Sequence, residues 1–528
     1  MVKKADILIY NAQLYDPIKG KLPADALAVR DGKIQQIGSK KDLPPAVTEL
    51  NLQGRPVLPT LCDSHTHFVT TVRRRQEINL EDCTSLAEAL AKIRQRVEAT
   101  PEGEWITGGG WNQNNWTDNP HPTRQQLDAI STRHFIALDS KDWHTMWVNT
   151  PVLEKAGIDP NRPYPGAKHL AIHPETGEFT GILEEEARLV IFGLIPPPAF
   201  SKLKDALEKV QAEYHRFGYG SIHTVEPPDE TAVLGEALSQ NKLQLRSFWY
   251  VPVKHLASLK QHPVWKYLTP RFLELVGIKL FLDGAFGSQS AELLDNYENL
   301  GHAGTGVMDE ATLARHVETA LTHRLACAIH AIGDKAIRKA INVLEQVEPE
   351  SRRYYLHHRI EHAQLIQPQD LKRFAAIQLT ASMQPLHLAY DIPIMKKYLG
   401  NRAEKCYAFN SLNRTGVRLI FGSDSPVESF NPWKAIYTAL QRKEGLDPLA
   451  PVFNQGECLS LWEAIKAYTL FPAETVNQSH SLGKIKAGYQ ADFFVADRNI
   501  FEISPEELPE TKSLLTVVNG QIVYQTLD

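Results

Sequence analysis

The hydrophobic residues of this chain fall into short runs that alternate with segments of helical spacing. Eight runs have the length of buried strands. A strand followed by a helix, repeated along a chain, is typical of a parallel sheet, and eight repeats close such a sheet into a barrel. The runs are Val57 to Cys62, Gly220 to Val225, Leu245 to Val251, Val276 to Leu282, Ala326 to His330, Arg359 to His362, Ile377 to Met383 and Leu419 to Asp424.

Both ends of the chain show a different pattern, of short strands joined by tight turns. Asp31-Gly32 separates two such strands near the amino terminus, and Asn519-Gly520 does so near the carboxyl terminus. Both dipeptides are strong signals for two-residue hairpins. Neither end has enough strands to bury a core alone. We therefore predict a composite β-sandwich domain of residues 1–58 and 482–528, and a barrel domain of residues 59–481.

The segment between the first two runs, about residues 68–215, is too long for one crossover connection. It has an apolar run of its own, Phe135 to Leu138, and a glycine-rich stretch that ends at Trp111. We predict that it forms a subdomain inserted into the barrel.

Composition narrows the class of protein without identifying it. The chain has 528 residues and a formal net charge of −5, so no basic surface indicates nucleic acid. No apolar run approaches the ~18 residues of a membrane span, and Asp6 precedes any apolar segment, which argues against a secretory signal. The 5 cysteines lack CxxC spacing, which is typical of reduced thiols. We expect a cytoplasmic protein with a small-molecule substrate and no nucleic-acid or membrane partner. A homodimer stays open.

Histidines and an aspartate close several of the predicted barrel strands. His65 and His67 follow the first run two positions apart, which puts both imidazoles on one face of a strand. That spacing alone is weak evidence. However, His330, His362 and Asp424 end later runs, and the carboxyl ends of barrel strands meet at the mouth where active sites lie. Such nitrogen and oxygen ligands suit zinc or a similar divalent ion.

These motifs resemble those of the amidohydrolase superfamily, specifically the YtcJ-like (amidohydrolase 3) group, which includes N-substituted formamide deformylases. The matching stretches are Pro59 to His67, Gly277 to Gly284, His330 to Asp334, His358 to Gln364, Ser382 to Pro385 and Gly422 to Val427. They span nearly the whole chain in the family's order. The resemblance implies an α/β fold, a (β/α)8 TIM-like barrel with a small β-sandwich formed by both termini, and a hydrolase of carbon–nitrogen bonds other than peptide bonds.

The resemblance also assigns roles to single residues. The metal ligands that it implies are His65, His67, Lys279, His330, His362 and Asp424. An ammonium group has only donors and cannot bind a cation, but in many superfamily members the corresponding lysine is carboxylated by CO2 and bridges two metals. Alternatively, Lys279 is an ordinary lysine paired with Asp283 or Glu361, and the site holds one ion. We expect a divalent metal, zinc in the first instance, with one or two ions per chain.

The implied chemistry is hydrolysis by a metal-activated water, with Asp424 as the general base. His144 would either polarise the substrate carbonyl or form only a structural hydrogen bond, and Trp111 would either line a pocket or simply pack. Substrate contacts are assigned to Trp111, His144, Arg359 and Gln384.

Three hypotheses about function follow from these residues. The first is hydrolysis of an amide, formamide or N-acyl bond in a small molecule. The second is deamination of a nitrogen heterocycle, which release of ammonia would reveal. The third is a non-catalytic barrel, which loss of metal ligands would mark, and every expected ligand type is present.

Overall fold

Eight parallel strands form the centre of the fold, and each pairs with its neighbours in chain order. The computed structural model describes residues 4–113, 116, 121–141, 145–159, 170–172, 179–184, 186–196 and 199–527. The barrel strands, numbered first to eighth along the chain, are Leu61–Thr66, Tyr219–Val225, Arg246–Pro252, Leu273–Phe281, Ala326–Ala331, Arg359–His362, Thr380–Met383 and Arg418–Phe421.

The barrel closes through backbone hydrogen bonds just beyond the paired part of its eighth strand. The Asp424 N–H donates to the His65 carbonyl at 2.7 Å, and the His67 N–H donates to the Ser425 carbonyl at 2.8 Å. Gly422 permits this close approach, because a Cβ there would lie 2.3 Å from the backbone nitrogen of His65. The predicted (β/α)8 barrel is confirmed, and its closure brings two of the candidate motifs side by side.

The first hydrophobic run divides into two strands that belong to different sheets. Pro56–Pro59 pairs with strands from the chain ends, and Leu61–Thr66 belongs to the barrel. The change occurs at Thr60. The N–H of Thr60 donates to the carbonyl of Asp492 in the carboxyl-terminal segment, whereas the N–H of Leu61 donates to the carbonyl of Gly218, directly before the second barrel strand. The prediction of one strand from Val57 to Cys62 was therefore wrong, because the hydrophobic pattern continues across the change of sheet.

The two ends of the chain form two smaller sheets, one of amino-terminal strands alone and one of strands from both ends. The four-stranded sheet contains Ala5–Tyr10, Ala26–Arg30, Lys33–Gly38 and Ala46–Asn51. The six-stranded sheet contains Gln13–Asp16, Gly20–Lys21, Pro56–Pro59, Phe493–Ala496, Ser513–Val518 and Gln521–Gln525. Buried residues of both sheets, such as Ile9 and Val517, form one hydrophobic cluster. The sheets therefore share a core to which both termini contribute.

Helices connect the barrel strands, with one departure after the third strand. The α-helices from the second strand onward are Pro228–Ser239, Glu310–Thr322, Asp334–Gln346, Glu348–Arg353, Pro368–Ala376, Pro385–Leu399, Phe409–Arg414, Pro432–Gln441, Leu461–Tyr468 and Leu470–Thr475. Several begin with proline, which suits the first helical position because no N–H partner is required there. The third strand is followed instead by the 3-10 helices Val253–Gln261 and Pro263–Tyr267. Within the described residues, no helix has the length and apolar character needed to cross a membrane.

Residues Val72–Ala206 form a compact unit of their own, and the rest of the chain forms the other unit. The sheet of this unit has the strand order Leu170–Ile172, Phe179–Glu184, Thr145–Val148, Phe135–Ser140, Trp105–Trp111 and Ile78–Asn79. Its helices are Leu86–Glu98, Arg124–Asp128, Thr150–Lys155 and Glu186–Phe192, and the helices Phe68–Arg74 and Phe200–Arg216 cross its boundaries.

Candidate metal centre

Two histidines at the end of the first barrel strand present nitrogen atoms to one carboxylate oxygen. Nδ1 of His65 donates to Glu361, and Nδ1 of His67 donates to the Val225 carbonyl at 2.7 Å. Because carboxylates and carbonyls only accept, Nδ1 is the protonated nitrogen of each neutral imidazole, and Nε2 then has a lone pair for a cation. These Nε2 atoms lie 3.3 and 3.5 Å from Oδ1 of Asp424. Both imidazoles are therefore oriented as ligands for a cation beside Asp424.

The position of His67 is also fixed by the carboxyl group of Glu226, at the end of the second strand. Glu226 is 1% exposed and accepts from the Val69 N–H at 2.8 Å and from the Thr70 N–H at 3.4 Å. These donors belong to the first turn of the following helix, where N–H groups have no intrahelical partner. Glu226 therefore caps the helix that starts directly after His67.

Asp424 is held in a strained and strongly charged environment. Its φ is +59°, and that of His362 is +68°. Residues other than glycine rarely adopt such positive values, and those that do are found preferentially at functional sites. Burial raises the pKa of the Asp424 carboxyl, but the neighbouring His65, His362 and His67 outweigh this and hold the pKa well below its ordinary value. Asp424 is thus ionised, as a metal ligand or general base must be.

A second pair of histidines lies near the other oxygen of Asp424. Nε2 of His387 lies 3.9 Å from Oδ2 of Asp424. The ligand atoms of His362, His387 and Asp424 lie within 4.8 Å of one another, and the same holds for His65, His67 and Asp424. Sequence reasoning missed His387, because it lies in the first turn of a helix and not at a strand end.

Lys279 is buried on the fourth barrel strand and lines the same cavity as these histidines. Burial lowers its pKa to about 8, although the charges of Glu361 and Asp424 act in the opposite direction. Among the described residues, neither Asp283 nor Glu361, the two carboxylates considered as ordinary partners of Lys279, forms an ion pair with this lysine. Asp283 accepts backbone N–H groups of the loop after the fifth strand, and Glu361 binds Arg359.

His330 lies at the end of the fifth strand beside His362, with ring centroids 4.5 Å apart. Its Nε2 donates to the Gly284 carbonyl at 3.1 Å, which leaves Nδ1 with a free lone pair. Burial lowers the pKa of His330 to about 3 and that of His362 well below its ordinary value. Both imidazoles are therefore neutral, the form that binds metals.

Arg359 lies inside the barrel and contacts the residues that position the metal ligands. It is fully buried, and its guanidinium binds Glu361, the Ser64 carbonyl at 2.5 Å and Oγ of Ser382 at 2.9 Å. Arg359 was assigned to substrate contact, but the described lining of the cavity does not include it. Its contacts are those of a residue that orients Glu361, which in turn orients His65.

Two of the other residues assigned to substrate binding, Gln384 and Trp111, lie in the described part of the chain. Gln384 is buried and donates to the Ser382 carbonyl at 3.4 Å. Trp111 packs in the core of residues 72–206, where its Nε1 donates to the Leu138 carbonyl at 2.9 Å. His144 lies outside the described residues, so its role stays a prediction.

A cavity of about 390 Å³ opens beside both histidine clusters. This volume is in the range of small-molecule sites. Besides the candidate ligands and Lys279, its lining includes Phe281, Phe286, Ile332, Gln364, Tyr390, Asp391, Val427 and Glu428. Among the described lining residues, Lys279 is the one lysine and no arginine occurs.

A barrel that gathers histidines and an aspartate around such a cavity has the arrangement of a metal-dependent hydrolase. The chain belongs to the amidohydrolase family, whose model matches residues 48–524. The resemblance seen in the motifs is thus confirmed.

Several known proteins similar to this chain match it along nearly its whole length. YtcJ of Bacillus subtilis (strain 168), by name an amidohydrolase, is 30% identical over 519 residues, which cover 95% of this chain and 96% of that protein. The N-substituted formamide deformylase of Arthrobacter pascens is 23% identical, with 99% of both chains covered. The crystal structure of an uncharacterised metal-dependent hydrolase from Pyrococcus horikoshii OT3 has a TM-score of 0.78 and 25% identity, and covers 94% of this chain and 99% of its own.

Proposed function

We propose that this protein is a metal-dependent hydrolase that cleaves the carbon–nitrogen bond of a small amide, formamide or N-acyl compound that is not a peptide. The observation that carries the proposal is the convergence of His65, His67 and Asp424 beside an open cavity. The similarity to a formamide deformylase supports the class of bond.

The donors present fit a divalent ion, for which zinc is our first candidate. The Nε2 atoms of His65 and His67 face an ionised carboxylate, and this nitrogen and oxygen set suits zinc. A bound ion would supply a Lewis acid that lowers the pKa of water to about 7.

Asp424 would act as the general base. Its ionised carboxylate takes a proton from the attacking water as the new carbon–oxygen bond forms, and returns that proton to the leaving nitrogen as the carbon–nitrogen bond breaks. The products are a carboxylic acid and an amine. Because Glu361 and Val225 hold the imidazoles of His65 and His67, the base and the ligands keep their geometry through this cycle.

The described lining of the cavity favours an uncharged substrate. A carboxylate or phosphate group is usually held by arginine or lysine, and the sole such residue in this lining, Lys279, feels the charges of Asp424 and Glu361. The exposed Phe281 and Tyr390 offer apolar contact to a substituent on the nitrogen or the acyl group.

Carboxylation of Lys279 remains a prediction from the family. With its pKa near 8, part of the side chain is a neutral amine at neutral pH. That amine can form a nitrogen–carbon bond with CO2 and release a proton to give a carbamate. Metal content measured with and without bicarbonate tests this.

A substrate screen tests the proposed function. Metal-replete protein would be given N-formyl amines, N-acyl amines, dipeptides and amino-substituted heterocycles, with separate assays for amine and ammonia, and Asp424→Asn would control for contaminants. We expect amine release from the formyl or acyl compounds. Ammonia release from heterocycles alone would favour a deaminase, and no turnover of any compound would favour the non-catalytic barrel.

A further inference from the structure

We propose that Asp391 recognises a hydroxyl group on the nitrogen substituent of the substrate. The substrate would then be an amide or formamide that carries a hydroxyalkyl group on its nitrogen, and not a purely hydrocarbon group. This inference rests on the proposed function, since it concerns the same cavity, but it assigns a residue and a substrate group that the metal centre does not involve.

One oxygen of the Asp391 carboxylate is fixed by a buried tyrosine. Oδ2 accepts from the hydroxyl of Tyr407 at 2.5 Å, and Tyr407 is 1% exposed. Burial holds the pKa of this phenol well above its ordinary value, so the hydroxyl keeps its proton and acts as the donor. The Tyr407 N–H donates to the Gln364 carbonyl at 2.7 Å, and the Tyr407 carbonyl accepts from Arg442 at 2.9 Å. The anchor of Asp391 is therefore itself held in place.

The other oxygen of Asp391 has no partner in the part of the chain that the structure describes. Oδ1 forms no hydrogen bond there, and the carboxylate forms no ion pair. Asp391 nevertheless lines the cavity of about 390 Å³. Burial raises its pKa, although the charge of His387 and the hydrogen bond from Tyr407 act in the opposite direction. A buried carboxylate with few donors is destabilised in its charged form, so a donor on the substrate would stabilise it.

The position of Asp391 on its helix separates it from the reacting atoms. Asp391 and His387 both belong to the helix Pro385–Leu399, and their spacing puts them on one face, with Asp391 about 5.4 Å further along. Nε2 of His387 lies 3.9 Å from Oδ2 of Asp424, the proposed general base. A group that binds Asp391 therefore lies a few bonds from the scissile bond, on a substituent of the substrate.

A hydroxyl group fits these surroundings better than a charged group. A carboxylate only accepts, so it selects O–H or N–H groups. The partly exposed rings of Phe281 and Tyr390 line the same cavity and offer apolar contact to the carbon atoms of a substituent. Bringing an ammonium group among such rings costs far more hydration free energy than bringing a hydroxyl group. The chemistry of the lining thus favours a short hydrocarbon chain that ends in a hydroxyl.

The experiment compares matched formamides as substrates of the metal-replete protein. N-(hydroxypropyl)formamide offers a donor, N-butylformamide has the same number of heavy atoms without one, and N-(methoxyethyl)formamide has an ether oxygen that only accepts. We expect kcat/KM to be about 10–100-fold higher for the hydroxyl compound than for the other two, as for a hydrogen bond to a charged group. The difference should lie in KM, because the contact is equal in the ground state and the transition state.

Variants assign this preference to one side chain. Asp391→Leu should reduce the preference to near one, and Tyr407→Phe should reduce it in part, because the carboxylate loses its anchor. Glu428→Gln is the matched control, since it removes a carboxylate from the same cavity and should leave the preference for the hydroxyl compound in place. Should Asp391→Leu fail to fold, Asp391→Ala and Tyr407→Phe decide the question.

The outcomes separate this inference from the proposed function. Equal kcat/KM for the three compounds, or a preference that survives in Asp391→Leu, would overturn the role of Asp391 while the hydrolysis of formamides stands. If none of the three is hydrolysed, which counts against the proposed function, they serve as binding probes in calorimetric titrations. Tighter binding of the hydroxyl compound to the wild type but not to Asp391→Leu would then support the role of Asp391, and equal binding would overturn it.

Discussion

Asp424 is the residue on which both histidine clusters converge, and its substitution tests the chemical part of the account. Asp424→Asn keeps the shape of the side chain but removes the negative charge and most of its ability to accept a proton. We expect kcat to fall by at least about 10²–10⁴-fold, the usual contribution of a general base, with unchanged circular dichroism. A folded variant with near-normal kcat would exclude Asp424 as the base.

Glu361 is predicted to matter for both metal affinity and stability. It accepts from His65 and Arg359, and both its side chain and that of Arg359 are fully buried. Glu361→Gln would leave the Arg359 charge uncompensated, at a cost of about 3–5 kcal/mol in the free energy of unfolding, and should weaken zinc binding about 10–100-fold. Urea unfolding and competition with a zinc chelator measure these effects.

Glu345→Gln is the matched control for that substitution. Glu345 pairs with Arg373 in a half-exposed ion pair, and such pairs contribute only about 0–1 kcal/mol. If Glu345→Gln and Glu361→Gln lowered the free energy of unfolding and the zinc affinity equally, the buried pair of Glu361 and Arg359 would have no special role.

Single residues of the site could be predicted where they lie at the end of a predicted strand. His65, His67, His362 and Asp424 converge because each lies at or just beyond the end of a barrel strand. His387 could not be found in this way, since nothing in a helical first turn distinguishes a ligand from a surface histidine. Arg359 was assigned to substrate contact, and the structure shows that its guanidinium binds Glu361 inside the barrel.

At the scale of elements, the cap that Glu226 provides links one helix to the metal centre. Glu226→Ala removes the acceptor for the Val69 and Thr70 N–H groups and should cost about 0.5–2 kcal/mol, as for other lost caps. Because His67 directly precedes that turn, we expect zinc affinity to fall and amide exchange at both N–H groups to accelerate. Glu226→Gln keeps an acceptor oxygen and should have a smaller effect. Equal effects of the two variants would contradict the capping role.

The barrel strands largely followed from the hydrophobic pattern, and two of the departures from it have a physical reason. The pattern cannot show a change of sheet inside an apolar run, so the division at Thr60 was missed. It also cannot separate an α-helix from a 3-10 helix, as in the connection after the third strand. Both depend on tertiary hydrogen bonds that a local pattern does not contain.

At the scale of the molecule, a buried ion pair joins the barrel to the carboxyl-terminal segment. Arg246, at the start of the third strand, binds Asp492 through two hydrogen bonds of 2.6 and 3.1 Å. Arg246→Ala would leave the Asp492 charge buried and should lower the free energy of unfolding by about 3–5 kcal/mol. The double variant Arg246→Met/Asp492→Leu should lose much less, and a double-mutant cycle by urea unfolding checks this. A double variant as unstable as Arg246→Ala would contradict the expectation that the uncompensated Asp492 charge causes the loss of stability.

The architecture was the most predictable property of the molecule, because eight strand-and-helix repeats have few other solutions and two short terminal patterns need each other to bury a core. The substrate was the least predictable, since it depends on cavity residues such as Phe281, Tyr390 and Glu428. No periodic pattern in the sequence indicates that these residues line the cavity.

The most direct test of the central claim is the rate of amine release from an N-substituted formamide while Zn²⁺ is added back to metal-depleted protein. We predict no release before the addition, a rise with added ion, and saturation when the sites are full. Release that is unaffected by metal depletion, or no release at full metal occupancy from any formyl or acyl amine, would contradict the account.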